Sequence, residues 1–141
     1  MIVVNSRGEL KNLINRRIEE RGPNCDLNDI DVSRIKNMRE LFIGSNFNGD
    51  ISQWDTSNVE DMSHMFEGSV FNGDISKWNV SRVVDMDMMF ARSSFKGDLS
   101  KWDVSNILWW SRTFYESPLE GKEPEWYKHL GDHRGLSIDL K

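Results

Sequence analysis

Asp50, Asp74 and Asp98 stand 24 residues apart, each preceded by a glycine and followed by an aliphatic residue and a serine. Asp26 falls on the same count, and Asp31, Asp55 and Asp103 form a second column that Asn79 interrupts. Carboxylates repeated at a fixed interval could do three kinds of work. They could accept backbone N–H bonds and close turns beside glycine, which is the expected role of the first column. They could hold a metal ion, but monodentate carboxylates in a row do not converge into the cage that calcium prefers. Stacked and exposed, they would repel one another and attract a basic partner, or imitate a phosphate backbone.

A serine column runs at the same interval: Ser33, Ser57, Ser81 and Ser105. A nucleophilic serine needs an adjacent base, and no histidine recurs with the unit, so these serines are expected to cap short helices. His64, His129 and His133 each stand alone, with no second ligand or base at fixed spacing. His64 is expected on the outer face of a helix and His133 in an exposed turn. Cys25 is the single cysteine. It rules out an intrachain disulfide, fits a reducing compartment, and is expected as a small buried thiol in the column of Gly49.

The elements that must position these columns follow from the same period. "FNGDISQW" at Phe47 returns as "FNGDISKW" at Phe71 and "FKGDLSKW" at Phe95, which divides the chain into units 23–46, 47–70, 71–94 and 95–118. Trp54, Trp78 and Trp102 share one column, and Ile51, Ile75 and Leu99 another. Within a unit, Ile51, Trp54 and Thr56 alternate as a short strand would, and Val59, Met62 and Phe66 space as the stripe of a short helix opened by Ser57. Gly49, Gly73 and Gly97 are expected to reverse the chain before the next strand.

Such a unit cannot bury its apolar stripe alone, so neighbours must stack into a solenoid with covered ends. Residues 1–22 are expected as the N-terminal cap. There "IVV" adds a strand, and Ser6 with Glu9 opens a helix carrying Leu10, Leu13, Ile14 and Ile18 on one face. Residues 119–141 are expected as the C-terminal cap, with "EPEWYKHLG" as a short helix and "LSIDL" as a strand. The whole chain of 141 residues is one domain.

The phrase "GDISQWDTSNVEDMSHMF" resembles the repeat of BspA-like bacterial surface proteins, leucine-rich-repeat relatives also found in mycoplasma surface lipoproteins. The resemblance covers 47–107 closely and 23–46 recognisably, and the fourth unit departs from it at "NILWWSRTFYESP". It implies a right-handed, leucine-rich-repeat-like α/β solenoid with one short strand and one short helix per turn. It further implies a protein that binds other proteins, as an adhesin or surface antigen, and it supplies no catalytic residue, cofactor or ligand.

Charge narrows the function. Residues 1–22 carry five basic and three acidic side chains, whereas 23–118 carry nine and fifteen, within a total of −5. That balance excludes a nucleic-acid binder working by phosphate neutralisation. No secretory signal and no stretch of transmembrane length is legible, so the chain as given is expected in the cytoplasm, or at the cell surface if excised from a longer protein.

The expectation is therefore a non-enzymatic, protein-binding repeat module presenting an acidic surface to a basic protein, with no cofactor and no membrane insertion. The alternative is an inhibitor encoded by a phage or mobile element, anti-CRISPR-like, acting by acidic mimicry on a host nucleic-acid-handling complex. Asp50, Asp74, Asp98, Asp55 and Asp103 are the expected acidic contacts. Arg82 belongs to a variable column, Arg34, Asn58, Arg82 and Asn106, that would set specificity. Trp109, counted in register with Glu60 and Val84, is expected to face outward beside Arg112 as a binding hot spot, with Trp126 nearby, while Trp110 enters the core. A homodimer through a solenoid end is also compatible with exposed termini.

Overall fold

Among the described residues the repeats hold one two-residue strand and no helix, and short tight turns stand elsewhere in the units. The computed structural model describes residues 1–130. Gly131, His133 and the "LSIDL" segment lie outside the described residues. Within a unit, backbone N–H groups reach the carbonyl three residues back: Trp54 to Ile51 at 3.2 Å, Val59 to Thr56 at 3.0 Å, Met65 to Met62 at 3.3 Å and Ser69 to Phe66 at 3.1 Å.

Left-handed residues interrupt the expected helix in each unit. His64 (φ 57°) and Gly68 (φ 65°) are left-handed, and the same two positions are left-handed in every unit: Glu40, Met88 and Arg112 with the first, Gly44, Arg92 and Glu116 with the second. A left-handed residue ends helical propagation, and glycine alone adopts it without a Cβ clash. The first two units use glycine at the second position. The last two place Arg92 and Glu116 there, and the two side chains pair across the turns, Arg92 Nε to Glu116 Oε2 at 3.3 Å.

What joins the turns is a ladder of backbone bonds. The N–H groups of Met38, Glu40, Phe42 and Gly44 donate to the carbonyls of Asp61, Ser63, Met65 and Glu67 at 2.8 to 3.0 Å. Met62, His64, Phe66 and Gly68 repeat this toward Asp85, Asp87, Met89 and Ala91, and Met86, Met88, Phe90 and Arg92 toward Trp109, Ser111, Thr113 and Tyr115. Left-handed residues alternate with the right-handed turns so that every second amide points along the stack. Parallel pairing elsewhere in the units is reduced to single bridges, Asp26 with Asp50, Asn37 with Asp61, Asp61 with Asp85, and Asp85 with Trp109.

Equivalent side chains then pile up along the axis. Phe42, Phe66, Phe90 and Phe114 stack at centroid distances of 5.5, 5.6 and 5.6 Å, all buried. Phe47, Phe71 and Phe95 form a second file at 6.0 and 6.3 Å. Trp54 and Trp78 stack at 6.3 Å, and each indole N–H donates to a carbonyl of the preceding turn: Trp54 to Leu27, Trp78 to Ile51 and Trp102 to Ile75, at 2.9 to 3.0 Å. Burying each ring contributes about 1.5–3 kcal/mol, and the indole bonds satisfy polar atoms that burial would otherwise penalise.

Gly49, Gly73 and Gly97 are needed for closeness rather than for reversal. None has positive φ. A Cβ on Gly49 would lie 1.8 Å from the Cys25 carbonyl oxygen, and one on Gly73 or Gly97 would meet the ring two residues earlier at 2.6 to 2.7 Å. Cys25 itself is buried, as its column suggests.

The N-terminal end is closed by β1 (Ile2–Val3) and α1 (Arg7–Arg21). β1 pairs in parallel with β2 (Ile30–Asp31), the one strand in the repeats among the described residues. Ser6 caps α1 by accepting from the Glu9 N–H, and Leu10 and Ile14 are buried beneath it. The first turn has no predecessor to donate to its ladder carbonyls. Arg7 Nε therefore donates to the Arg39 carbonyl and Lys11 Nζ to the Leu41 carbonyl at 2.6 Å, so the basic excess of the first 22 residues caps exposed acceptors. Arg17, buried, donates to Asp29 at 2.8 Å.

At the other end the repeat runs past 118. Leu119 falls 24 residues after Phe95 and Gly121 after Gly97, while Trp126 follows Trp102 and stacks on it at 6.4 Å. Trp126 donates its indole N–H to the Leu99 carbonyl at 2.8 Å, which makes it the next member of the tryptophan file. α2 (Glu125–Leu130) begins just after Pro124. Among the described residues no helix is long and apolar enough to cross a membrane.

Candidate functional site

The two aspartate columns occupy neighbouring corners of each turn, five residues apart, with the buried aliphatic residue and tryptophan of the unit between them. Every member of both columns closes a local turn. Oδ1 of Asp50 accepts from the Ser52 N–H at 2.9 Å and its hydroxyl at 2.7 Å, Asp74 does the same with Ser76 at 2.9 and 2.6 Å, and Asp98 accepts from the Ser100 N–H at 2.9 Å. In the second column Asp55, Asn79 and Asp103 accept from the N–H groups of Ser57, Ser81 and Ser105 at 3.0 Å. These serines are therefore not helix caps. Ser57 and Ser81 point their hydroxyls back at the residue two earlier, at 2.6 Å, because no helix follows for them to cap.

Hydrogen bonds favour the charged form of five of these carboxylates. Donation from the Ser52, Ser76 and Ser100 hydroxyls, seconded by neighbouring polar groups, lowers the pKa of Asp50, Asp74 and Asp98 below the usual carboxylate value. Ser33 and Ser105 do the same to Asp31 and Asp103. Asp50, Asp74, Asp98, Asp55 and Asp103 are all exposed, so each presents a charged group while its Oδ1 holds a turn. The face is not uniformly acidic. Lys77 and Lys101 stand between the columns in the third and fourth units, where the second unit has Gln53 and the first has Asp29. Lys77 and Lys101 thus offset the aspartates of the third and fourth units, while in the first Asp29 is paired with Arg17.

A third column escaped the sequence reading. Asn37, Asp61 and Asp85 accept from the N–H two residues on at 2.8 to 3.0 Å, and their backbones form the single bridges between turns. The "DM" pairs Asp61–Met62 and Asp85–Met86 were the available signal.

The remaining expected contacts divide. Arg82 is exposed and donates to Asn58 Oδ1 at 2.6 Å, while Asn58 and Asn106 donate to the Ser33 and Ser81 carbonyls at 2.7 Å. The variable column is thus partly bound into the stack. Trp109 stands one place along from its expected register, paired with Asp85 rather than Val84. It is half-buried, and its indole nitrogen is hidden from solvent. Leu108, 50% exposed, takes the Glu60 and Val84 position, and lines a shallow groove with Arg82, Val84 and Ile107. Arg112 is exposed, 5.2 Å from the Tyr115 ring centre. Trp126 is half-buried as a rung of the stack. His64, expected on a helix, instead occupies a left-handed turn and meets Glu67 Oε1 at 2.6 Å.

A family model described as "Mycoplasma protein of unknown function, DUF285" matches residues 11–126. No curated protein and no solved structure matches the chain.

Proposed function

The chain belongs to the mycoplasma family DUF285, and from that premise we propose that it is a non-enzymatic protein-binding module, a right-handed, leucine-rich-repeat-like solenoid allied to BspA-like surface repeats. It offers the corner defined by Asp50, Asp74 and Asp98 to a partner with a basic surface. One observation carries the reading. These carboxylates are exposed, and each is anchored through Oδ1 to the N–H of the serine two residues on at 2.9 Å, so the charges stand at a fixed spacing with little ordering cost on binding. Asp55 and Asp103 extend the same face, and Leu108 with Arg82 supplies an adjoining apolar groove.

The test is capture of protein partners by the immobilised chain across a salt series. Contacts made through exposed carboxylates weaken steeply between about 50 and 300 mM salt as the screening length shortens. Capture that is indifferent to salt rules the acidic corner out.

A further inference from the structure

We propose that the C-terminal end of the ladder is a docking edge for an extended, basic segment of another protein. In each preceding turn two amides at equivalent positions are used: Met88 donates to the Ser111 carbonyl and Phe90 to the Thr113 carbonyl, both at 2.9 Å. Their counterparts in the last turn are Arg112 and Phe114. Among the described residues no carbonyl or side-chain oxygen accepts from either amide. The next amide of the row, Glu116, is met by the carboxylate of Glu120, so among the described residues one position is capped and two are without an acceptor.

Arg112 and Phe114 both line a cleft of about 440 Å³, together with Tyr115, Glu120, Glu123 and Tyr127. The ladder dictates the shape of what fits. An occupant must offer carbonyls at alternate residues, as an extended chain does, and pair as the next rung. A second copy cannot supply it from its own first turn. The equivalent carbonyls there, Arg39 and Leu41, already accept from Arg7 and Lys11.

Charge selects the sign. Two carboxylates face one guanidinium in the lining. Glu120 and Glu123 each use one oxygen on a backbone N–H, of Glu116 and Gly121, and neither forms an ion pair among the described residues. Arg112 lies against Tyr115. The segment that fits therefore carries lysine or arginine beside its paired backbone. The inference deepens the binding reading and rests on it for there being a protein partner, but it uses a different surface from the aspartate corner.

The experiment is residue-resolved amide hydrogen exchange on the full chain, free and with two end-blocked heptapeptides, one alternating lysine and valine, the other glutamate and valine. In the free chain Arg112 and Phe114 exchange at least tenfold faster than Met88 and Phe90. The lysine peptide slows them tenfold or more, the glutamate peptide does not, and a chain carrying D50N, D74N and D98N gives the same slowing. That last arm separates failure here from failure of the acidic corner. Slow exchange already in the free chain, no slowing by the lysine peptide, equal slowing by both peptides, or loss of slowing in the triple variant each overturns the proposal.

Discussion

Trp126 donates its indole N–H to the Leu99 carbonyl at 2.8 Å, the bond that Trp102 makes to Ile75 one turn earlier. Replacing Trp126 with phenylalanine keeps a ring over Trp102 but removes the donor. The Leu99 carbonyl keeps the Trp102 backbone N–H at 3.1 Å, so the expected loss is the net contribution of one hydrogen bond, about 0.5–1.5 kcal/mol. Urea unfolding of Trp126→Phe beside the parent chain measures it; an unchanged midpoint would mean that the last rung contributes nothing.

The glycines divide by what surrounds them. Gly49→Ala places a Cβ 1.8 Å from a backbone oxygen, so the turns must part, and a loss above about 3 kcal/mol is expected. Gly8 lies in the first turn of α1 with nothing within 4 Å of an added Cβ, and Gly8→Ala gains up to about 0.5 kcal/mol, less than in a helix interior. Thermal melts of the two variants should move in opposite directions.

Lys11→Met retains the apolar stem that packs on the first turn but leaves the Leu41 carbonyl without its donor. We expect about 1–3 kcal/mol of destabilisation. It should be local. Hydrogen exchange should quicken in residues 27–44 before it quickens in the third and fourth units; uniform quickening would contradict a capping role.

Acid titration follows from the aspartates. Asp31, Asp50, Asp74, Asp98 and Asp103 all have folded pKa values below the ordinary one. A depressed carboxylate pKa contributes stability that is fully present above the unfolded value of about 3.9 and is lost as pH falls through the folded value. Stability should be flat from about pH 7 to 5 and decline below about 4. A melt series that rises on acidification would overturn the hydrogen-bond assignment.

Much of this molecule was legible because its period is strict. The tryptophan and phenylalanine columns, the buried Cys25, and Ser6 opening α1 all follow from counting residues and matching polarity. What was misread has local causes. The spacing of Val59, Met62 and Phe66 suits a helix, but the left-handed residues that break it, Glu40, His64, Met88 and Arg112, carry no common side-chain signal. The serine after each aspartate reads equally as a helix cap or as a turn donor, and only the missing helix decides. Trp126 was counted as a contact residue although it lies one period beyond Trp102, because the intervening "NILWWSRTFYESP" hides the continuation to Leu119 and Gly121. Arg7 and Lys11 as carbonyl caps could not be read at all, since their partners lie in a different unit.

The acidic corner is tested most directly by separating its two roles in one variant. Asn79 already accepts from its serine as the aspartates do, at 3.0 Å, so D50N, D74N and D98N together should keep every turn closed while removing three charges. Unfolding and partner capture are measured side by side at pH 7 and low salt. The expected result is a melting midpoint within a few degrees of the parent and capture reduced at least tenfold. Full capture by the neutralised chain would contradict the proposal that these carboxylates are the contact.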